Sequence, residues 1–324
     1  MKRLFGFALS LLLFLPLSVA FAKSTVYPVT IDNCGNPLII EQRPSRAVIH
    51  DINMSEMAFS LGLQKDIVGV TGITGWYKMS PSFKQRLGKI PELAPKYPSL
   101  ETLIASKADF FFAGWNYGMK VGGDVTPETL KPYKIDTLVL SESCSHTINS
   151  QQAASMDLLY DDVKTLGVIF DAQDKADHLI ASWKARIEKV SESNPVKSHS
   201  PVKVFLYDSG QDKPFTAGKY AMPNALIEAA GGTNVTSKMS AGWATTSWES
   251  VAQMNPDVII LLDYQGANGA DSLQRFLEAH PLMKYTNAVK SARYVRLRYE
   301  QLTPGPANIE AIEKIAEAIR PKYF

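Results

Sequence analysis

Chemically reactive side chains are scarce in this sequence. Its 324 residues include two cysteines and five histidines. Cys34 and Cys144 stand too far apart to make a zinc site by themselves. The short motifs that carry a nucleophile, a metal or a nucleotide are missing: there is no G-x-S-x-G, no H-E-x-x-H, no P-loop, and no G-x-G-x-x-G after a strand. These absences argue against an enzyme and against a resident cofactor. An excess of charge of one sign is also lacking. Lys and Arg number 34 against 32 Asp and Glu, and without Lys2 and Arg3 the two counts are equal. A neutral chain has no bulk field with which to gather nucleic acid or anionic lipid. Long apolar runs are absent after the first two dozen residues, and none reaches the roughly 18 residues of a membrane span.

What is present begins with an export signal. Lys2 and Arg3 precede an apolar run over 4–19 that contains Pro16, and Ala20-Phe21-Ala22 is an A-x-A cleavage site. Residues 1–22 are therefore expected to be a secretory signal peptide cleaved after Ala22. No cysteine stands at the cleavage site, so no lipid anchor is expected there. In an exported protein two cysteines most often pair. A Cys34–Cys144 bridge would contribute roughly 4–5 kcal/mol in the chain-entropy picture and staple the N-terminal segment to its own half.

About 300 residues after the signal exceed one typical domain, so two lobes are expected. The first, over 23–150, alternates buried β-runs with helices: Ala47-Val48-Ile49-His50, Ile67-Val68-Gly69-Val70, Phe110-Phe111-Phe112-Ala113 and Thr137-Leu138-Val139-Leu140 are strands, and 55–61 is a helix capped by Ser55 and stopped by Gly62. The second, over 195–324, repeats that grammar with strands at 202–207, 258–262 and 294–297 and helices at 224–230 and 309–319. Between them, 151–194 has no strand signal. Met156, Leu159, Val163 and Leu166 share one helical face that ends at Gly167. From a cap at Asp171, Ala172, Ala176, Leu179, Ile180, Trp183, Ile187 and Val190 recur at helical spacing. About 22 such residues span roughly 33 Å, a stiff connector between lobes. Residues 191–200 read as a structureless stretch. The predicted fold class is α/β: two similar lobes with mostly parallel sheets, joined by one long helix, with a ligand cleft between them.

Ligands of such sheets sit beyond the carboxyl ends of the strands. Those ends carry Trp76, Tyr77 and Lys78 after the second strand, Trp115 and Tyr117 after the third, then Asp208, Phe215 and Lys219, Asp263 and Tyr264, and Arg298 and Tyr299. Trp243 lies in a further loop of the second half, and Trp183 alone reads as a helix-core residue. Aromatic residues on glycine-rich loops suit the grip of a large, flat or apolar ligand. Arg298 can hold a carboxylate, catecholate or hydroxamate oxygen with two donors, or pair with Glu300 or Asp263 nearby. His50, Asp51, Glu142 and His146 fall at strand ends of the first lobe and raise a rival reading, a receptor for zinc or manganese.

Each half also repeats one phrase, an acidic helix start followed by an Asp-led β-run: Ser99-Leu100-Glu101 before Ala108-Asp109-Phe110, and Ser247-Trp248-Glu249 before Pro256-Asp257-Val258. With Arg46-Ala47-Val48-Ile49, Leu61-Gly62-Leu63, Leu166-Gly167 and Leu226-Ile227-Glu228-Ala229-Ala230-Gly231-Gly232, these phrases resemble the Fe/B12 periplasmic-binding family. Its members are substrate-binding proteins of ABC importers for ferric siderophores, haem and cobalamin. The resemblance covers about 46–320. It implies a periplasmic monomer that captures a small molecule between its lobes and delivers it to an inner-membrane permease. It implies that Glu101 and Glu249 dock onto that permease, and that Trp115 and Trp243 line the cleft from opposite sides. Arg298, Lys78 and Lys219 beside the aromatics point to a ferric siderophore. Pro214-Phe215-Thr216-Ala217-Gly218-Lys219 and Trp243 are similar to the cobalamin-binding members of that family, a resemblance that implies cobalamin or another corrinoid as the alternative, with haem in the same fold.

Overall fold

A computed structural model describes residues 24–76, 79–147, 152–193, 201–264 and 269–320. The expected signal segment, Tyr77 and Lys78 lie outside the described residues. The first half opens on an antiparallel hairpin, β1 (Val29–Asn33) and β2 (Asn36–Ile40). Its strands continue with β3 (Ala47–His50), β4 (Ile67–Thr71), β5 (Glu92–Ala94), β6 (Phe110–Trp115), β7 (Gly118–Met119) and β8 (Asp136–Val139). These form a parallel sheet of order β5-β4-β3-β6-β8, and the short β7 pairs with the end of β6. Helices α1 (Ile52–Ser60), α2 (Pro81–Leu87), α3 (Leu100–Ala105) and α4 (Pro127–Leu130) cover it. Two longer helices follow, α5 (Met156–Ile169) and α6 (Gln173–Glu192).

In the second half, β9 (Lys203–Tyr207), β10 (Phe215–Ala217), β11 (Thr233–Asn234), β12 (Trp243–Thr245), β13 (Val258–Asp263) and β14 (Tyr294–Arg298) alternate with α7 (Met222–Ala229), α8 (Trp248–Met254), α9 (Ala270–Ala279) and α10 (Asn287–Lys290). The chain closes with α11 (Tyr299–Leu302) and α12 (Asn308–Ile319). The main sheet is parallel, of order β11-β9-β13-β14, and β10 and β12 form a separate antiparallel pair. Among the described residues no strand of one half pairs with a strand of the other.

Strand alternation sorts the side chains between layers. On β6, Phe110 and Phe112 enter an inner core while Phe111, Ala113 and Trp115 enter an outer one. On β13, Val258, Ile260 and Leu262 face inward and Ile259 and Leu261 outward. This period of two, on strands apolar on both faces, is that of a sheet covered on both sides. The inner core is continuous through both halves: it joins Phe112 and Val70 to Ile180 and Trp183 of α6 and to Leu206 and Ile312. The two lobes are thus welded by α5, α6 and α12.

Local chemistry explains where the elements depart from the sequence reading. Helix α1 starts three residues before its expected start because Asp51, not Ser55, caps it: the Asp51 carboxylate accepts the Ile52 N–H at 2.6 Å, and Ser55 donates its hydroxyl back to the Asp51 carbonyl. Helix α5 runs past Gly167 to Ile169. Asp171 does not cap α6; its carboxylate accepts the Thr25 N–H and ties the N-terminal segment to the turn between α5 and α6. Helix α7 begins at Met222 because Pro223 is tolerated in a first turn. Ser191 and Glu192, read as structureless, belong to the turns that end α6; residues 194–200 lie outside the described residues. Cys34 and Cys144 are bridged, with their Cα atoms 5.2 Å apart.

Candidate functional site

Each main sheet reverses its strand order once. In the first lobe the chain builds β3, β4 and β5 outward and then returns to place β6 on the other side of β3. In the second it places β11 on one side of β9 and β13 on the other. At such a switch the loops leave in opposite directions and open a crevice beyond the strand ends. The residues there are Asn116 and Tyr117 after β6, Asp208 after β9, and Tyr264 after β13. All four line one cavity of about 340 Å³ between the lobes, within the range of small-molecule sites.

Five of the aromatic ligand-binding candidates meet there, Tyr117, Phe215, Trp243, Tyr264 and Tyr299, together with Glu142 and His146 from the metal reading. Phe215 and Trp243 stand diagonally on the paired β10 and β12, where Phe215 faces Thr245 and Trp243 faces Ala217. Their rings stack at 6.0 Å between centroids and 23° between planes. Tyr220, Ala221 and Gly242 complete that wall. The opposite wall is the turn over Ser141–His146, which contributes Glu142, Ser145 and His146. The disulfide holds this turn from behind through Cys144.

Polar groups join the lobes at the cavity. Glu142 accepts the Met222 N–H at 2.5 Å across the lobe boundary and the Tyr117 hydroxyl at 3.3 Å. Burial raises its pKa to about 7. The Tyr299 hydroxyl donates to the buried Asp51 carboxylate at 3.0 Å, again between lobes, and burial pushes Asp51 up to about 7. Tyr264 donates to Asp208 at 2.9 Å; Asp208 is also raised by burial.

Other candidates lie elsewhere. Trp115 is buried in the outer core of the first lobe with Leu103, Phe111 and Val139, because its place on β6 turns it away from the cleft. It does not line the cavity. Trp76 is 45% exposed, and the Lys96 ammonium sits 3.9 Å from its ring centroid. Arg298 pairs with the buried Glu300 and is not part of the cavity wall. Lys219 is exposed, and it is its backbone that acts, accepting the Ala154 N–H at 3.1 Å. Tyr77 and Lys78 cannot be located among the described residues.

The metal reading finds no support in the geometry: among the described residues no three His, Cys, Asp or Glu side chains converge. His50 is fully enclosed. Its Nδ1 lies 2.8 Å from the Thr71 hydroxyl, its ring abuts Tyr97, and burial lowers its pKa to about 3. Gly72 and Gly118 press on it so closely that a Cβ at either would stand 2.4 or 2.6 Å from the imidazole. Asn234, which begins an N-x-T triplet, is buried and donates to the Ala217 carbonyl and Asn224.

Glu101 and Glu249 occupy matching positions. Each is exposed in the first turn of a helix, α3 or α8, whose N-cap serine, Ser99 or Ser247, accepts the backbone N–H three residues on. The sequence reading placed Asp208 at a strand end without assigning it to the cavity wall, and it did not single out Asn116, Ser145 or Tyr220. Asp208 and Asn116 had a usable signal, since both directly follow a strand at a switch point.

Comparison with known proteins agrees with this architecture. A family model for periplasmic binding proteins matches residues 51–300. An ABC transporter substrate-binding lipoprotein of Bacillus subtilis, YvrC, is 27% identical over 310 residues, 95% of this chain and 90% of that protein. A cobalamin-binding protein of Halobacterium salinarum is 23% identical over 302 residues, 91% of this chain and 75% of that protein. The crystal structure of a periplasmic binding protein from Veillonella parvula superposes with a TM-score of 0.77 at 25% identity, covering 90% of this chain and 97% of that one. The chain belongs to the periplasmic binding protein family, in its Fe/B12 group of ABC-importer substrate-binding proteins.

Proposed function

We propose that this protein captures a corrinoid of the cobalamin type between its lobes and hands it to an ABC permease in the inner membrane. The observation that carries the choice of ligand is the cavity wall. It is formed by Tyr117, Phe215, Tyr220, Trp243, Tyr264 and Tyr299, and among the described residues it contains no Lys or Arg. A corrinoid is a large, flat chelate with an apolar face for aromatic stacking and no net negative charge to neutralise. The ferric siderophore expected from the sequence rests on Arg298, Lys219 and Lys78. Arg298 is neutralised by Glu300 and Lys219 is not part of the wall, so among the described residues no Lys or Arg of the wall offers a counter-ion to an anionic siderophore or to the propionates of haem; Lys78 lies outside the described residues. The 23% identity to a cobalamin-binding protein supports the same reading.

Glu101 and Glu249 serve as the two contacts with the permease, one on each lobe. Export through the 1–22 signal places the protein in the periplasm as a monomer. The test is a tryptophan-fluorescence titration of the mature protein with cyanocobalamin, haem, ferric citrate, ferric hydroxamates and free zinc and manganese. Saturable quenching by cyanocobalamin at micromolar concentration or below is expected, carried by Trp243. Quenching by haem or an anionic chelate alone would overturn the corrinoid reading.

A further inference from the structure

Three phenols at the cavity share one arrangement. Tyr117 donates to Glu142, Tyr264 to Asp208 and Tyr299 to Asp51. A tyrosine has a single hydroxyl proton, and once a carboxylate holds it the oxygen can only accept. Glu142 and Asp208, 7% and 5% exposed, stand in the wall themselves, one on each lobe. The cleft is therefore rich in acceptors, lined by acidic groups and, among the described residues, without a cation.

We propose that Glu142 and Asp208 determine specificity by selecting ligands that present N–H donors and carry no net negative charge. This rests on the corrinoid reading for the ligand, whose peripheral amides are such donors. Selection of this kind works mainly by rejection. A ligand carboxylate brought against a wall that holds two buried carboxyl groups and, among the described residues, no Lys or Arg has no counter-charge to replace its lost water. Burial that raises Glu142 and Asp208 also means that bringing a further anion beside them disfavours their ionised forms again.

The test compares matched ligands that differ in one charge, at about pH 8. The first pair is cyanocobalamin and its monocarboxylic acid, in which one propionamide is hydrolysed. The second is a ferric trihydroxamate with a terminal ammonium and the same chelate succinylated at that amine. Wild-type protein is expected to bind the uncharged or cationic member at least about tenfold more tightly. Glu142→Gln and Asp208→Asn should each shrink that ratio severalfold, with an unchanged circular-dichroism spectrum and cooperative melting reporting a folded protein. Equal affinity for both members of the pair that binds would overturn charge selection, and an undiminished ratio in both variants would overturn the assignment to these residues. Failure of both corrinoids with preference kept in the hydroxamate pair would sink the corrinoid reading and leave charge selection standing. Silence from both pairs would sink both.

Discussion

Two tryptophans that look alike in the sequence have opposite fates. Trp243 stacks on Phe215 in the cavity wall, and Trp115 is enclosed in the outer core. Trp243→Ala is expected to weaken ligand binding by about 2 kcal/mol, roughly thirtyfold in Kd, with little loss of stability. Trp115→Ala is expected to do the reverse, lowering stability by about 3–5 kcal/mol as a cavity-forming substitution. Urea unfolding and fluorescence titration of both variants separate the two roles. Buried carboxyl groups give the second residue-scale prediction. Burial pushes Asp51, Glu56, Glu142 and Asp162 up to about 7, above the ~4 of the unfolded chain. Between about pH 4 and 7 the folded protein then holds more protons than the unfolded one, so stability falls as pH rises through that window. The melting temperature should be higher near pH 5 than near pH 8, and Glu142→Gln should reduce the difference. A melting temperature that climbs from pH 5 to 8 would contradict this account.

At the scale of elements, the turn over Ser141–His146 links covalent structure to ligand. It supplies Glu142, Ser145 and His146 to the cavity, and Cys144 anchors it to the N-terminal hairpin. Reduction, or replacement of both cysteines by serine, is expected to cost about 2–5 kcal/mol of stability and to weaken ligand binding as well. Binding unchanged after reduction would show that the turn holds its shape without the bridge. Helices α3 and α8 make the other element-scale case. A glutamate in the first turn is favoured by the helix dipole and needs no partner on that ground. The docking role is tested by Glu101→Ala and Glu249→Ala together: ligand affinity should stay at the wild-type value while uptake through the permease falls. Normal uptake in the double variant would leave only the dipole explanation. Both helices were readable beforehand, since a capping serine followed by an apolar stripe is a local signal. Strands β10 and β12 were not, because three-residue strands have no period of their own and exist by pairing with each other.

For the molecule as a whole, the continuous inner core decides how the lobes can move. Closing a hinge would shear the packing of Trp183 and Ile180 between the two sheets, and close-packed interiors resist such deformation. The radius of gyration measured by X-ray scattering should therefore change by less than about 1 Å on ligand binding, a small fraction of the dimension expected for a chain of this size. A contraction of several ångströms would mean that α5, α6 and α12 do not weld the lobes.

The sequence by itself determined the α/β grammar, the duplicated halves, the long helix and the disulfide partners. These follow from local periodicity, caps and the count of two cysteines, which neighbours in the chain suffice to reveal. Only the tertiary structure decided which strand-end residues share a cavity. Arg298 looked like a ligand clamp until Glu300 took its charge, and Trp115 looked like a cleft residue until the side alternation on β6 turned it outward. Glu142 meets Met222, eighty positions away, and Tyr299 meets Asp51 across 248. Such contacts depend on where two sheets reverse their strand order and on how a shared core sets the lobes against each other, and no local pattern of residues encodes either.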